Sequence, residues 1–205
     1  SSNPVISGSA VLESVVFTGT NAVGYVKGYT TGSYTGYNFT NSWTVNSPGI
    51  PREGDAEATG DINLSSTVGT GSVTSFTGTG SASRIKLSGT TISNSLFRFT
   101  NDATNNRITY RGNKPRYFQV SASVSYQGST ADMTLILYIA KNGVIIDNTK
   151  VYGRPSTGFL SSAGILALPI VGTVQMNKND YIEIWGERFD GTGNMSTVSL
   201  NLTAK

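Results

Sequence analysis

The chain contains no cysteine and no histidine. Without cysteine it forms no disulfide bond, and the sequence carries no indication of a redox compartment. Without histidine it lacks the commonest general base and the Ser-His-Asp arrangement, and the two absences together remove the usual zinc ligands. We therefore predict no catalytic residues, no metal site and no cofactor.

Charged residues are scarce, at 13% of the chain, whereas glycine, serine and threonine are abundant. That composition favours β-strands and turns over helices. Because no apolar run is long enough to span a bilayer, we do not expect membrane insertion. The net charge of +3 over 205 residues is too weak a signal to predict nucleic-acid binding.

A central stretch, residues 107–151, carries the clearest pattern of β-strands. In residues 117–126 apolar side chains alternate with serine and glutamine, which places one face of a strand on a core and the other in water. Residues 133–141 are apolar at nearly every position, so both faces of that strand should be covered. Asn142-Gly143 follows directly, and this pair favours a two-residue hairpin turn.

Short strand-like runs separated by turn residues recur from Arg84 onward. This spacing predicts an all-β fold, with the strands arranged as an antiparallel sandwich or jelly roll. The predicted strands are residues 84–87, 96–99, 107–110, 117–126, 133–141, 144–151, 165–175, 181–185 and 197–202.

A change of composition suggests where the chain divides. Residues 65–83 consist almost entirely of serine, threonine, glycine and valine, which is typical of a flexible linker or of thin edge strands. The formal charge also changes, from −3 before Arg84 to +6 from Arg84 onward. We place a boundary near residue 80, so that residues 1–80 form a smaller β-rich segment and residues 81–205 form the main domain.

Two groups of residues are candidates for binding a glycan or receptor. Aromatic rings among small polar residues can stack on sugar rings, and ordinary half-buried strand positions are the simpler interpretation. A basic group between residues 98 and 116 can steer anions toward the protein, and a solvated turn is the simpler interpretation there. The candidate contacts are Tyr29, Tyr34, Tyr37 and Trp43 in the first group and Arg111 and Lys114 in the second.

Carboxylates are the remaining candidates for chemistry. An acidic loop at residues 46–61, which ends at Asp61, lacks the ligand spacing of a dedicated calcium site, so we interpret it as a solvated loop. A glycosidase would need two carboxylates across a cleft, and for the C-terminal acids a solvated surface position is the simpler interpretation. Those acids are Asp180, Glu183, Glu187 and Asp190.

Five segments of the C-terminal part follow one another in a recognisable order. They are RITY at 107–110, RYFQVSASV at 116–124, LYIAKNG at 137–143, VQMNKNDYIEIW at 174–185 and VSLNL at 198–202. This order resembles the trimeric jelly-roll heads of the complement and tumour necrosis factor superfamily. It is more similar still to their relatives at the C-terminal tips of bacteriophage tail or head fibres and in other virion-associated proteins. The resemblance covers about residues 84–205.

The resemblance implies a homotrimer with an apolar and aromatic subunit interface and with receptor contacts on outer loops. Tyr181 and Trp185 fall on the strand face opposite the isoleucines of the same run, which makes them candidate interface residues. A buried core position for Trp185 is the alternative. Phe159 and Leu160, in the loop at residues 152–164, are further candidates.

The function implied by this resemblance is attachment. We expect a virion-associated fibre tip that is extracellular when it acts and that binds a host-cell surface receptor or glycan without catalysis. Its N-terminal segment would join it to other virion proteins. A structural capsid decoration or head-fibre protein is the alternative, and an enzyme acting on polysaccharide is a third and less favoured function.

Overall fold

The computed structural model describes residues 58–130, 132–155 and 164–205, together with the backbone of two short strands nearer the N-terminus. The chain divides into two compact units, Ser1–Ala56 and Glu57–Lys205. In the first unit, Ala10–Glu13 (β1) pairs in parallel with Trp43–Asn46 (β2), with Ala10 opposite Trp43.

The described part of the second unit is built from strands and short connections. Brief 3-10 turns occupy Gly80–Ser83 and Asp147–Thr149. None of the described ranges contains a helix that is long and apolar enough to cross a membrane. The strands are Gly60–Ser65 (β3), Ser72–Thr74 (β4), Ile85–Lys86 (β5), Phe99–Asp102 (β6), Arg107–Tyr110 (β7), Arg116–Gly128 (β8), Thr134–Lys141 (β9), Val144–Ile145 (β10), Val151–Gly153 (β11), Ile165–Met176 (β12), Tyr181–Asp190 (β13) and Met195–Ala204 (β14).

These strands form two antiparallel sheets. The first sheet has the order β12-β8-β14-β3, with β4 also paired to β14. The second has the order β10-β9-β13-β7-β6, with β11 on β9 and β5 on β13. From β8 to β14 the long strands alternate between the sheets, so paired long strands such as β8 with β12 and β9 with β13 are not consecutive in the chain. This connectivity is that of a jelly roll, so the predicted all-β jelly-roll sandwich is confirmed.

The hydrophobic core lies between the sheets and follows the predicted alternation. In β8 the apolar positions are buried and those between them are wholly or partly exposed, as the two-residue period requires. In β9 both faces are covered: Leu135, Leu137 and Ile139 belong to the core, while Ile136 and Tyr138 are buried on the opposite face. The prediction that this strand is covered on both sides is therefore confirmed.

The hairpin predicted at Asn142-Gly143 is also present, but the strand after it is shorter than expected. Asn142 and Gly143 have φ values of 53° and 77°, the left-handed conformation that such a turn needs. Beyond β10 the chain leaves the sheet in a 3-10 turn, where Thr149 Oγ1 accepts a hydrogen bond from the Ile139 amide at 2.9 Å. Residues 144–151 are therefore not one strand, because this side chain replaces the backbone partner of β9.

The sandwich begins earlier than the predicted boundary near residue 80. Strands β3 and β4 both pair with β14, and the division between compact units falls after Ala56. Residues 65–83, which are rich in serine, threonine and glycine, form turns and the short strand β4. Of the two structures that this composition predicted, a flexible linker or thin edge strands, the second is the one present.

Asp61 anchors β3 to the loop that follows β5. Its carboxylate is buried and accepts hydrogen bonds from the amides of Asn94 and Ser95, at 3.1 and 2.6 Å, and from Ser93 Oγ at 3.1 Å. Burial by itself raises the pKa of Asp61, but these hydrogen bonds, with one from Asn63 Nδ2, outweigh it and hold the pKa below its ordinary value. The prediction that Asp61 ends a solvated loop is therefore wrong.

Replacing Asp61 should destabilise the sandwich in a pH-dependent way. Because the pKa is lower in the folded state, ionised Asp61 adds stability above its unfolded pKa of about 3.9, and this is lost as the pH falls through the folded pKa. We expect Asp61→Asn to lower the free energy of unfolding at pH 7 by about 1.5–3 kcal/mol, the range for hydrogen bonds to a charged group. Urea unfolding between pH 7 and pH 3 measures both effects. The exposed control Asp147→Asn should cost less than about 1 kcal/mol, and an equal cost would contradict this account.

Candidate functional site

Basic residues collect at one end of the sandwich. This end is formed by the start of β6 and β8, by the turns β7–β8, β9–β10 and β12–β13, and by the residue after β14. We call this surface the basic end and define it by Arg98, Arg111, Lys114, Arg116, Lys141, Lys178 and Lys205.

The charge of the sandwich is distributed very unevenly. The basic end holds seven basic residues and one acid, Asp180, whereas the rest of residues 58–205 holds six basic and seven acidic residues. The whole positive excess of this part of the chain therefore lies at the basic end. Such a concentration of one sign produces a local field that the net charge of +3 does not indicate.

Backbone hydrogen bonds join the turns of the basic end to one another. The Tyr110 amide donates to the Asp180 carbonyl at 2.8 Å, and the Asn179 amide donates to the Tyr110 carbonyl at 2.8 Å. The Arg111 amide donates to the Arg98 carbonyl at 2.8 Å. The first two bonds join turns that are about seventy residues apart in the chain, and the three bonds together fix the spacing of the cations that these turns carry.

Tyr110 connects the turn after β7 to the core. Its ring packs against Phe99 and Phe118, with ring centroids 5.3 and 5.0 Å away. Its hydroxyl donates to the Lys114 carbonyl at 2.9 Å and accepts a hydrogen bond from Arg116 Nε at 3.1 Å. The buried tyrosine therefore holds the C-terminal end of the segment at residues 111–116, which we call the basic turn.

Two cations of the basic end, Arg111 and Lys178, are held by neutral groups. Arg111 donates to Thr100 Oγ1 at 2.9 Å and to Asn179 Oδ1 at 2.7 Å, while Lys178 Nζ donates to Asn113 Oδ1 at 2.6 Å. Neutral oxygens orient a cation without cancelling its charge. The sequence-based candidates Arg111 and Lys114 thus lie on one surface, and both are exposed.

Lys141, in contrast, pairs with a carboxylate, since its Nζ lies 2.8 Å from Asp180. Burial by itself raises the pKa of Asp180, but hydrogen bonds from Lys141, the Asn177 amide and the Asn142 side chain outweigh it, so the pKa lies below its ordinary value. Asp180 is therefore a carboxylate that fastens the β9–β10 and β12–β13 turns together.

The outward face of the second sheet carries two buried carboxylates. Glu187 accepts hydrogen bonds from Arg84 Nε at 2.6 Å and from the Tyr138 hydroxyl at 2.7 Å. Glu183 accepts one from Trp185 Nε1 at 2.8 Å. Burial, and then the hydrogen bond to Glu187, raise the pKa of Tyr138 to about 12. The prediction that these two glutamates are solvated is wrong, because basic and aromatic side chains cover them.

Tyr181 and Trp185 lie on this same outward face, as the strand pattern predicted, and both are half-buried. The guanidinium carbon of Arg107 lies 4.4 Å from the centre of the Tyr181 ring. Their role at a subunit interface stays a prediction. Asp190, the fourth C-terminal acid, is exposed and accepts a hydrogen bond from the Thr134 amide at 2.9 Å.

The outward face of the first sheet is different, because its middle rows carry no charged side chain. Cross-strand neighbours form three rows that run from β12 through β8 to β14. We call this surface the uncharged face and define it by Ala167, Ser125 and Ser199, by Pro169, Ser123 and Asn201, and by Val171, Ser121 and Thr203.

Several sequence-based candidates cannot be located on these surfaces. Tyr29, Tyr34, Tyr37, Phe159 and Leu160 lie outside the described residues, and Trp43 is described only as part of the backbone of β2.

Other residues of the basic end were not predicted from the sequence. Lys141, Lys178 and Lys205 are far from Arg111 in the chain, and only the pairing of strands brings them together. Within residues 58–130, 132–155 and 164–205, no group of acidic side chains is arranged to hold a metal ion.

No protein-family model matches this chain, and no curated protein matches it by sequence. Solved structures with a similar course of the backbone include the Eiger TNF of S. frugiperda, at 8% identity and a TM-score of 0.44 over 73% of this chain and 93% of that one. Murine APRIL at pH 5.0 has 9% identity and a TM-score of 0.43 over 72% and 98% of the two chains. The jelly-roll assignment rests on the strand order of the two sheets and not on these likenesses.

Removing the Tyr110 hydroxyl should loosen the basic turn while leaving the core in place. Tyr110→Phe keeps the ring contacts but loses both hydrogen bonds of the hydroxyl, at a cost of about 0.5–1.5 kcal/mol for each. We expect faster amide hydrogen exchange in residues 111–116 together with a lower midpoint of urea unfolding. The control Tyr152→Phe changes a half-exposed tyrosine and should alter neither. Unchanged exchange in the Tyr110 variant would show that the hydroxyl does not hold the turn.

Proposed function

We propose that this chain is the host-binding head of a virion-associated fibre, that it acts as a homotrimer, and that it attaches to a surface glycan or receptor without catalysis. The observation that carries the proposal is the segregation of charge on the sandwich. One end holds the whole positive excess of residues 58–205, while the middle of one sheet is free of charge. A surface for a ligand and a surface for assembly are thereby separate.

The proposed assembly uses the uncharged face. Charged residues are depleted at the centre of protein interfaces, and small side chains allow two sheets to approach closely. The face also exposes an apolar side chain, Val171, of which 57% is accessible. Ser121 Oγ and Thr203 Oγ1 hydrogen-bond to each other at 2.8 Å, so these polar groups are already partly satisfied within the subunit. The occupant that we propose for this face is a second copy of the same chain.

The proposal of binding without catalysis rests on the state of the carboxylates. Glu183 and Glu187 accept hydrogen bonds from side chains of their own subunit, and Asp180 is paired with Lys141. A glycosidase needs one carboxyl group with a raised pKa facing a second across a cleft. Asp61, Asp102, Asp180 and Asp190 instead all have a lowered pKa.

The trimer is tested by placing a charge in the middle of the uncharged face. We expect the unaltered chain to sediment at three times 21.6 kDa and Ser123→Arg to sediment as a monomer, because three desolvated guanidinium groups would oppose association. Asn101→Arg, an exposed substitution on β6, is the matched control and should remain trimeric. A monomeric unaltered chain would contradict the proposed trimer, and a trimeric Ser123→Arg would contradict the proposed face. Sedimentation of the variant Trp185→Leu tests in the same way the interface that the sequence predicted at Tyr181 and Trp185.

Attachment is tested with cells and with capsids. We expect the fluorescently labelled chain to bind at least one species in a panel of bacteria, and the surface polysaccharide extracted from that species to compete with binding. Prolonged incubation should leave the length of that polysaccharide unchanged. Absence of binding to every species, together with stoichiometric binding to virus capsids, would instead support a structural decoration protein. Shortening of the polysaccharide would support an enzyme.

A further inference from the structure

We propose that the basic end binds an acidic polysaccharide, a glycan whose sugars carry carboxylate or phosphate groups. This inference rests on the proposed attachment function and specifies the class of ligand. It places the contact on Arg111, Lys114 and Lys178, with Tyr117 beside them.

Exposed positive charge is concentrated on two adjoining turns of the basic end. The turn after β7 carries Arg111 and Lys114, the turn after β12 carries Lys178, and all three are exposed. Charges on a protein surface are screened over about 8 Å at physiological ionic strength, so cations on adjoining turns act together on an anion at this end. Because the remainder of the sandwich has no positive excess, an anionic polymer is directed to this end in preference to the others.

Two of these cations are held in position within the chain itself. Arg111 and Lys178 are already held by the neutral oxygens of Thr100, Asn179 and Asn113. Their positions are thus set before a ligand arrives, which reduces the entropy lost on binding. Asn179 has a φ of 73°, in a turn that the side chain of Asp180 closes by accepting the Asn177 amide at 2.7 Å.

An exposed aromatic residue favours a glycan over other anions. Tyr117 lies at the start of β8, directly after the basic turn, and 72% of it is exposed. An exposed phenol ring on the strand that begins at the basic end offers an apolar surface for a sugar ring and a hydroxyl at its tip, while the cations of that end receive the acidic substituents. A polymer that has charge but no sugar rings would use only part of this surface.

The test compares charge removed from the basic end with the same charge removed elsewhere. The variant Lys114→Gln/Lys178→Gln keeps polar side chains at both exposed positions. The matched control, Lys150→Gln/Arg154→Gln, also removes two exposed cations, outside the basic end. Each full-length protein is titrated with polygalacturonate for carboxylate, phosphomannan for phosphate, and neutral dextran, poly-glutamate and single-stranded DNA as comparisons.

We expect the unaltered chain to bind one or both acidic glycans and to lose that affinity steeply as salt rises from 50 to 500 mM. The basic-end variant should bind at least about tenfold more weakly, as expected when two near-contact charges are lost in water. The control should bind as the unaltered chain does. Tyr117→Ala should lose about three- to tenfold, the range for an aromatic contact. Which glycan binds identifies the acidic group.

The proposal is overturned if neither acidic glycan binds, if the basic-end variant binds like the control, or if poly-glutamate or DNA binds as tightly as the glycans. Cell attachment separates this failure from that of the proposed function. If Lys114→Gln/Lys178→Gln adheres to cells as well as the unaltered chain does, only the ligand assignment fails. If the unaltered chain adheres to no cells, the attachment function itself fails.

Discussion

The antiparallel pairing of β8 with β12 on one side and with β14 on the other determines most of this structure. The first ladder runs unbroken from Ile165 opposite Gln127 to Met176 opposite Arg116. Because antiparallel pairing places the start of one strand beside the end of the next, the turn before β8 meets the turn after β12 and the residue after β14. Cations that are distant in the chain therefore become neighbours, and the basic end is a consequence of register.

The same pairing explains why the two sheets have such different outward faces. From Gln119 to Gln127 the outward positions of β8 are serine and glutamine, and their cross-strand partners on β12 and β14 are also uncharged. On the second sheet the outward side of β13 carries Glu183 and Glu187, which must be buried with partners because an unpaired buried charge is costly. Arg84 and Tyr138 supply those partners for Glu187. One face thus pairs the buried charge of Glu187 within the chain, whereas the middle of the other face carries no charge that needs a partner.

Residues that hold the structure together and residues proposed to bind the ligand are connected at the basic end. Tyr110 belongs to the aromatic core through Phe99 and Phe118, yet its hydroxyl holds the exposed turn that carries Lys114. Asp180 fastens a second turn by accepting hydrogen bonds from Lys141 and the Asn177 amide. A rigid core thereby supports exposed turns, which is the general arrangement of binding loops on β-sandwiches.

The sequence by itself determined the all-β class, the alternation of β8, the covered faces of β9 and the turn at Asn142-Gly143, because each depends on neighbours within a few residues. Only the tertiary structure decided the rest. The predicted boundary near residue 80 differed from the observed division because β3 finds its partner, β14, far along the chain. The burial of Glu187 and the gathering of cations at one end could not be predicted from the sequence either. Side chains that are distant in the chain cover Glu187, and cations that are distant in the chain form the basic end.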